Sequence, residues 1–441
     1  MTEQELEELR QQIRVIPRES HSISRKDISD KALKVLYRLK NAGFEAYLVG
    51  GGVRDLSLGR EPKDFDVVTD ARPEDVSELF RNCRLIGRRF RLAHVHFGRE
   101  IIEVATFRAL HDPGSETPEG DVAIEDGRIL RDNVYGSVEE DAFRRDFTIN
   151  SLYYNIADFS VVDFANGLDD LRAGRVRMIG DPETRYREDP VRMIRAARFA
   201  AKLGFRIDAD TAAPIPAMAQ LLDHIPQARL FDEVMKLFMA GMAAETYGIL
   251  RQYGLFSHLF PQTDAALSGA KGAVWDVFIL RALSNTDRRI NADQPVTPAF
   301  LFAALLWPRA SERTEELIRQ HDVVPAQAIQ QASEEVIAQQ LERVAIPKRF
   351  SVPMREIMLL QSRLERYRGK RARRLPSHPR FRAAYDFLLL RAEAGDAPQE
   401  LADWWTRELD GGVPEAEAES EAPRKRRRRG GRGRKAAERG A

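Results

Sequence analysis

The fold of this chain is decided by the stretch GGGVRDLSLGREPKDFD at residues 50–66. The apolar run AYLV at residues 46–49 precedes it and predicts a buried strand, and residues 65–68 predict a second strand. The glycines allow backbone N–H groups to approach an anion closely, as in other turns that hold phosphate. A glycine pair alone is commonly a plain turn, so the prediction depends on the order of strand, glycine turn, helix and strand.

Asp64 and Asp66 at the end of this stretch are separated by one residue. If both lie on a strand, their side chains share one face, roughly 6 to 7 Å apart. Two carboxylates at that distance repel each other unless a cation lies between them, and Mg²⁺ prefers one or two carboxylates plus substrate phosphates. The pair therefore predicts a metal-dependent phosphoryl-transfer site, with a solvated strand end as the alternative.

The bulk composition indicates a folded chain of several domains. At 441 residues the chain is too long for one ordinary core, and 43% hydrophobic with 31% charged residues is typical of a polar, soluble protein. The net charge is only +1, but residues 411–441 carry ten cations against five glutamates, which leaves an acidic remainder. A nucleic-acid partner would therefore meet local basic patches.

The only cysteine and the N-terminus predict a cytoplasmic protein. Cys83 cannot form an internal disulfide, which suits a reducing compartment, and we expect a small buried residue rather than a nucleophile. The acidic N-terminus MTEQELEE is helix-prone and unlike a signal peptide, and no run approaches 18 apolar residues.

Helix and strand signals alternate from residue 24 to about residue 170, which predicts a mixed α/β or α+β domain. Beyond residue 180 the spacing is that of amphipathic helices, with candidates at residues 190–203, 232–240 and 243–253. The later helices are expected to break at prolines, namely Pro295, Pro308, Pro325, Pro347, Pro353, Pro376 and Pro379. Residues 411–441 combine alternating glutamates with a run of cations and predict a disordered tail.

Metal sites of this kind usually share the charge of the cation among three carboxylates. Glu103 is the leading candidate for the third, and Glu139 and Glu140 are the others. Glu103 lies within the apolar run at residues 101–107, where a charge is costly unless it has a partner; an exposed edge-strand position is the alternative. Glu139 precedes the RRDFT segment at residues 144–148, and a first-turn position favoured by the helix dipole would also explain it.

Arg145 in that RRDFT segment is a candidate for binding a triphosphate. Its guanidinium group could hold phosphate oxygens with bidentate hydrogen bonds. A salt bridge with Asp146 or Asp141 explains the residue equally well from the sequence alone.

The segment EDPVRMIRAARF at residues 188–199 predicts a helix with Asp189 as its N-cap and a proline in its first turn. Arginines follow at steps of three, and such a row drifts about 60° around the helix per step. Asp189, Arg192 and Arg195 can therefore share one pocket, while Arg198 points well away. An aspartate acceptor beside an arginine donor could read the edge of a nucleobase, although capping explains Asp189 as well.

Two internal basic clusters are candidates for binding a polyanion. One is RRFR at residues 88–91, and the other runs from Arg363 to Arg374 around Tyr367. A solvated charged face is the alternative for both. His94 and His96, which follow the first cluster, are expected to be core or hydrogen-bonded residues rather than metal ligands.

Together, GGGVRD at residues 50–55, DFD at 64–66, RRDFTIN at 144–150 and the segment at 188–199 resemble class II nucleotidyltransferases of the polymerase-β superfamily. This family contains bacterial poly(A) polymerases and CCA-adding tRNA nucleotidyltransferases, and the core resemblance spans residues 35–265. Residues 87–95, 150–155 and 381–391 and the arginine-rich tail are similar to the poly(A) polymerase branch. The sequence has no His-Asp phosphohydrolase signature of the kind that some CCA-adding enzymes append.

The resemblance implies an α+β fold with a polymerase-β-like head built on a small mixed sheet, followed by all-helical neck, body and leg regions. The implied boundaries are 1–23 for a polar lead-in, 24–170 for the head, 171–265 for the neck, 266–410 for the body and leg, and 411–441 for the disordered basic tail.

The resemblance also implies roles for individual residues. Asp64 and Asp66 would hold Mg²⁺, with Mn²⁺ as a possible substitute, and Glu103 or Glu139 would complete the catalytic carboxylates. The residues implied to bind ATP are Gly50, Gly51, Arg54, Arg145, Asp189, Arg192, Arg195 and Arg198.

The activity predicted on this basis is template-independent addition of AMP from ATP to RNA 3′ ends by a two-metal mechanism, with release of pyrophosphate. RNA is expected to bind through the cluster from Arg363 to Arg374 and the tail cations from Arg424 to Lys435. The predicted protein is a cytoplasmic monomer that promotes RNA decay and binds RNA-decay proteins. A CCA-adding tRNA nucleotidyltransferase is the first alternative, and a non-catalytic RNA-binding adaptor is a more remote one.

Overall fold

The computed structural model describes residues 3–87, 91–110, 122–125, 128–132, 134–367 and 372–410. Within these ranges the N-terminal part forms a head around a mixed sheet, and the part after about residue 180 is almost entirely helical. The α+β fold predicted from the sequence is confirmed.

The head is built on an eight-stranded sheet with the strand order β1-β10-β9-β2-β3-β6-β5-β4. Neighbouring strands are antiparallel except for β3 and β6, which run parallel. Two further pairs lie outside this sheet, β7 with β8 antiparallel and β11 with β12 parallel. The strands of the described residues are β1 (Arg14–Ile16), β2 (Ala46–Val49), β3 (Asp66–Thr69), β4 (Cys83–Ile86), β5 (Leu92–Phe97), β6 (Glu100–Thr106), β7 (Val122–Glu125), β8 (Arg128–Asp132), β9 (Leu152–Asn155), β10 (Val161–Asp163), β11 (Arg175–Val176) and β12 (Arg206–Ile207).

The helices cover the head sheet first and then form the rest of the molecule. Those up to residue 188 are α1 (Glu3–Gln11), α2 (Asp30–Asn41), α3 (Gly51–Ser57), α4 (Pro73–Leu79), α5 (Val138–Phe143), α6 (Gly167–Ala173) and α7 (Pro182–Glu188). Those from residue 191 to residue 267 are α8 (Val191–Leu203), α9 (Ala209–Ala212), α10 (Ile215–Met218), α11 (Gln227–Phe238), α12 (Ala243–Gln252), α13 (Leu255–Leu259) and α14 (Pro261–Leu267). The remaining ones are α15 (Gly272–Asn291), α16 (Pro298–His321), α17 (Pro325–Leu341), α18 (Lys348–Leu364), α19 (Phe381–Ala394) and α20 (Gln399–Leu409). Short 3₁₀ helices occupy Arg18–Ser20, Arg25–Asp27, Thr148–Asn150, Ala219–His224 and Ala372–Ser377.

Both faces of the head sheet are covered, so side-chain alternation decides which core each strand residue enters. On β3, Val67 packs into the large core that continues into the helical part, and Val68 packs on the opposite face with residues of α5. Asp66 is two residues from Val68 and therefore belongs to the α5 face of the sheet. The candidate carboxylate thus lies on the same face as the helix that leads into the RRDFT segment.

The segment predicted as a polar lead-in takes part in the head. β1 pairs with β10 and forms one edge of the sheet, and Leu6 and Leu9 of α1 pack against the core on the α5 face. The N-terminal residues therefore complete the sheet rather than only leading into it.

Two of the expected helix breaks are wrong. Pro308 lies inside α16 and Pro353 inside α18. A proline in a helix interior removes a hydrogen bond and costs about 3 kcal/mol. Burial of almost every residue around Pro308, from Leu301 to Trp307, offsets that cost, so tertiary packing overrides the local signal.

Candidate active site

The glycine turn joins β2 to α3 and depends on one unusual backbone conformation. Gly50 has φ 64° and ψ −127°, a region that residues with a Cβ rarely enter. A Cβ on Gly52 would lie 3.5 Å from the carbonyl oxygen of Asp64, so the turn packs closely against the connection to β3. The turn is therefore adjacent to the aspartate pair, as the sequence predicted.

Substitution of Gly50 tests the need for this conformation. We expect Gly50→Ala to lower the free energy of unfolding by about 2 to 3 kcal/mol, because alanine is strained at this φ and ψ. The added methyl group would lie 3.4 Å from Arg145 Nη1, an ordinary contact distance, so backbone strain carries the cost. Urea unfolding measures the change.

Gly59→Ala is the matched control for this substitution. Gly59 also has a positive φ, 66°, but it is exposed, and a Cβ there would meet no atom of the described residues within 4 Å. Its loss should be smaller, about 1 kcal/mol. Equal losses at both positions would contradict a special role for the Gly50 conformation.

Asp66 opens β3 directly opposite Glu103 of the parallel strand β6. Burial raises the pKa of Asp66 to about 6, and repulsion by the carboxylates of Glu103 and Asp64 adds to the rise, while Arg145 opposes it. Asp64 is exposed and lies two residues before the first residue of the strand. The three carboxylates therefore act on one another, in surroundings where a cation would relieve their repulsion.

These carboxylates are not arranged as a preassembled ligand set. Among the described residues, no three His, Cys, Asp or Glu side chains are placed to hold a metal ion together. Glu103 Oε2 instead lies 3.4 Å from Nε2 of His94, the residue opposite it on β5. His94 is thus paired with a carboxylate, as the sequence predicted for a hydrogen-bonded histidine.

Glu139 lies elsewhere. It occupies the first turn of α5, the alternative that the sequence left open, and forms an ion pair with Arg10 of α1 at 3.5 Å. The structure brings Glu103 to Asp66 through strand register and gives Glu139 a different partner.

Arg145 follows α5 and lies against the glycine turn. Its Nε donates to Tyr153 Oη at 2.6 Å and its Nη2 to Asp141 Oδ2 at 3.0 Å. Nη1 is the nitrogen that faces Gly50. The salt bridge to Asp141 is one of the two partners that the sequence suggested, and it fixes the guanidinium group with one side toward the turn.

Arg54 of α3 is buried, with 2% of its surface exposed. Its Nε donates to Asp55 Oδ1 and its Nη1 to Asn150 Oδ1, both at 2.8 Å. Because these partners occupy the guanidinium group, Arg54 supports the turn from within the head. A direct contact between Arg54 and a triphosphate stays a prediction.

A series of polar side-chain contacts that the sequence did not predict connects the head to α8. Asn150 Nδ2 donates to Asp146 Oδ1 at 3.1 Å, and Asp146 Oδ2 lies 2.6 Å from Arg195 Nη2. Although burial alone would raise it, the pKa of Asp146 lies below its ordinary value because Arg195, Asn150 and the amide of Phe147 stabilise the carboxylate. Asp146 and Asn150 are therefore positioning residues between the glycine turn and the predicted nucleotide helix.

The segment at residues 188–199 differs from its prediction at the start of the helix. Asp189 caps the C-terminus of α7 in an extended conformation, and Pro190 is the residue that precedes α8. The predicted N-cap was thus misplaced by one residue. The carboxylate of Asp189 accepts a hydrogen bond from Arg229 of α11 at 2.6 Å, a partner 40 positions away.

The arginines of α8 divide between two environments. Arg192 donates to Glu188 Oε2 at 2.8 Å and to the carbonyl of Arg185 at 2.7 Å. Arg195 and Arg198 lie 5.9 and 4.4 Å from the centre of the Phe199 ring, and Arg54 lies 5.3 Å from the same ring. Arg198 and Arg195 therefore lie around the same aromatic ring, and the prediction that Arg198 points well away is wrong.

Positive charge is concentrated where the head meets the helical part. Burial lowers the pKa of Arg144 to about 9 and that of Arg185 to about 10, and repulsion by neighbouring arginines, including Arg192, contributes. Sequence reasoning did not single out Arg144 or Arg185, and the only signal for Arg144 was its place in the double arginine at residues 144–145. A bound triphosphate would relieve the repulsion between these crowded cations.

The remaining sequence candidates lie apart from this site or outside the described residues. Cys83 is half-buried on β4, where burial raises the pKa of its thiol, as suits a residue that is not a nucleophile. Of the RRFR cluster only Arg91 is described, and it pairs with Glu74 at 2.6 Å. Arg363, Arg366 and Arg374 are exposed, whereas Arg368, Lys370, Arg371 and the cations from Arg424 to Lys435 lie outside the described residues.

Three family models match the chain in sequence. The model described as Poly A polymerase head domain matches residues 46–177, which contain the glycine turn, the carboxylates and Arg145. The model described as Probable RNA and SrmB- binding site of polymerase A matches residues 204–267. The model described as Polymerase A arginine-rich C-terminus matches residues 321–439.

Individual relatives agree with these matches. Poly(A) polymerase I of Escherichia coli is 54% identical over 398 residues, which cover 90% of this chain and 86% of that protein. The CC-adding tRNA nucleotidyltransferase of Halalkalibacterium halodurans is 35% identical over 52% of this chain and 54% of that protein. The crystal structure of the Bacillus stearothermophilus CCA-adding enzyme in complex with CTP is 26% identical, with a TM-score of 0.53 over 86% of this chain and 82% of that chain.

The mixed sheet, the glycine turn and the adjoining carboxylates, followed by helices, define a nucleotidyltransferase. The chain belongs to the poly(A) polymerase family. In the described part of the chain, no helix has the length and apolar character needed to cross a membrane.

Proposed function

We propose that this chain adds AMP from ATP to the 3′ ends of RNA without a template and releases pyrophosphate. The observation that carries the proposal is the register of Asp66 with Glu103 beside the Gly50 turn. That arrangement lies within the segment matched by the head-domain model, in a chain 54% identical to poly(A) polymerase I of Escherichia coli.

Asp64 and Asp66 are the residues that would hold Mg²⁺, and Glu103 would complete the catalytic carboxylates. Burial is the main cause of the raised pKa of Asp66, and repulsion by Glu103 and Asp64 adds to it, so a bound cation would favour the charged carboxylate. When bound, the cation would stabilise charge on the phosphates and favour deprotonation of the attacking 3′ hydroxyl. Glu139 is the less favoured third carboxylate because its partner is Arg10.

The basic groups around the glycine turn would bind and orient the triphosphate. Arg145 has one nitrogen facing Gly50, and Arg195 and Arg198 add positive charge beside Phe199. Gly50 and Gly51 would let backbone N–H groups approach the phosphates. Bidentate contacts from arginine would fix the α-phosphorus for in-line attack.

Adenine selection is proposed for Asp189, which caps α7, together with Arg192 in the first turn of α8, because no template supplies base pairing. Arg229 would hold the carboxylate of Asp189 in a fixed orientation. The proposed division of the chain is a head to about residue 170, a neck to 265, a body and leg to 410, and a basic tail. Cytoplasmic location and contacts with RNA-decay proteins stay predictions.

A nucleotide-preference assay tests the proposed function. Purified protein is incubated with an unstructured RNA, or with a tRNA that lacks its CCA end, and with one nucleoside triphosphate at a time. We expect long extension of both RNAs with ATP alone. Addition of CTP confined to the tRNA end would contradict the proposal and favour CCA addition, and RNA binding without extension by any nucleotide would favour the adaptor alternative.

A further inference from the structure

The helical body carries a groove that the proposed reaction does not use. It has a volume of about 1230 Å³ and lies between α15, the start of α16, the start of α18 and the region of α19. Small-molecule pockets usually measure about 300 to 1000 Å³. The larger groove therefore suits a segment of a chain better than a small ligand.

The groove is strongly basic in a protein that is close to neutral overall. The described residues of its walls include six arginines and two acids, an excess of four positive charges, while the whole chain has a net charge of +1. The charged residues of the lining are Arg281, Arg288, Arg289, Arg349, Arg380, Arg382, Asp386 and Glu393. An excess of this sign concentrated in a concave surface favours an anionic ligand.

Three of these arginines have no carboxylate partner among the residues that the structure describes. Arg288 donates to Asn285 Oδ1, and Arg289 donates to the carbonyl of Pro295 at 3.0 Å. The guanidinium of Arg349 lies 4.8 Å from the centre of the Phe350 ring. All three are exposed, so each can turn to a phosphate without breaking an ion pair.

The other three arginines are held in exposed ion pairs that contribute little to stability. Arg281 pairs with Glu393 at 2.8 Å, Arg380 with Glu356 at 3.1 Å and Arg382 with Asp386 at 3.0 Å. Such pairs are worth about 0 to 1 kcal/mol, so a bidentate phosphate contact can replace them.

We propose that this groove binds a single-stranded segment of the RNA upstream of the 3′ end that is being extended. The inference rests on the proposed function, since the RNA product is a polyanion that lengthens at every cycle. Half-buried Phe300 and Phe350 add apolar surface between the arginines, a combination typical of single-stranded nucleic-acid grooves. Arginines contributed by several helices suit phosphates repeated along a chain and require no particular base sequence.

A double substitution in the groove tests the proposal. Arg288→Gln with Arg349→Gln removes two exposed arginines that pair with no carboxylate of the described residues. Arg319→Gln with Arg407→Gln is the matched control. Arg319 and Arg407 are exposed on α16 and α20, outside the groove lining, and among the described residues they donate only to the backbone carbonyls of Glu315 and Asp403. Equal thermal unfolding midpoints of both proteins and the wild type show that folding is intact.

The readout is the affinity for a labelled oligoadenylate of about twenty nucleotides across a series of salt concentrations. We expect the groove variant to bind about tenfold more weakly. The slope of log affinity plotted against log salt concentration should be smaller in magnitude by about 1.4, the value for two lost phosphate contacts. We expect the control variant to bind like the wild type. A primer of about five nucleotides is too short to occupy the active site and the groove at the same time. AMP addition to it should therefore be unchanged in the groove variant and in the control variant.

Unchanged affinity of the groove variant, or an equal loss in the control variant, would overturn the assignment of the groove. The assignment would also be overturned if the groove variant bound oligoadenylate normally but lost binding of polyglutamate, because the groove would then bind an acidic protein. Failure of the wild-type chain to add AMP to either primer would overturn the proposed function instead, which keeps the two failures distinct.

Discussion

Replacing Asp66 by asparagine is expected to reduce AMP addition by about a thousandfold or more. The substitution keeps the size of the side chain but removes the half-buried charge opposite Glu103 on the parallel strand. Loss of a carboxylate that would hold a divalent cation costs several kcal/mol in the transition state, and about 4 kcal/mol corresponds to a thousandfold loss of rate. The measurement is the initial rate of AMP incorporation into a labelled RNA at saturating ATP.

The control for this prediction is Glu78→Gln on α4, an exposed acid of the same head. It removes one negative charge away from the carboxylates and should leave the rate within a factor of two or so, as surface substitutions usually do. RNA affinity of Asp66→Asn should equal that of the wild type. An Asp66→Asn protein that extends RNA at the normal rate would show that this carboxylate does not serve the reaction.

Replacing Asp189 by alanine is expected to lower the preference for ATP over CTP by about thirtyfold. Asp189 is the proposed acceptor for the base edge, and each good pair of contacts to a base is worth about 1 to 3 kcal/mol of discrimination. A loss of about 2 kcal/mol corresponds to a factor of about thirty in the ratio of kcat/KM values. The ratio is measured with each nucleotide on the same RNA.

Arg229→Gln provides a second readout, because it leaves Asp189 in place and removes the group that holds its carboxylate at 2.6 Å. We expect a smaller loss of discrimination than in Asp189→Ala. Asp232→Asn, an exposed acid on the same helix as Arg229, should leave the ratio unchanged. Full retention of the ATP preference in Asp189→Ala would place base selection elsewhere.

The local part of the site was predictable because its signals are short-range. The run AYLV, the glycines and the second apolar run predict β2, the turn and β3 within one residue of their observed bounds. Glu103 was a candidate because a charge inside an apolar strand requires a partner, and strand register then places it opposite Asp66. These inferences depend on neighbours in sequence and on the period of a strand.

The partners of the basic residues were not predictable in the same way. Asp146 pairs with Arg195, and Asp189 with Arg229, across separations that no periodicity describes. Asp64 precedes the first residue of β3, so the strand-alternation argument does not by itself fix its side chain. Pro308 within α16 shows the same limit, since packing that is distant in sequence overrode a strong local signal.

The positions of the long-range pairs give the site a physical organisation. The chain of contacts from Arg54 through Asn150 and Asp146 to Arg195 connects the glycine turn with α8. Because Asp146 is buried and charged, removal of either partner would leave an uncompensated group, which is costly. The triphosphate-binding and base-selecting parts of the proposed site are thereby held in a fixed relation.

The most direct test of the central claim is a crystal structure with Mn²⁺ and a non-hydrolysable ATP analogue, read through the anomalous signal of manganese. We predict an anomalous peak coordinated by the carboxylates of Asp64 and Asp66, with the triphosphate beside the Gly50 turn. A triphosphate bound away from that turn, with no manganese at the aspartate pair, would show that this is not the catalytic site.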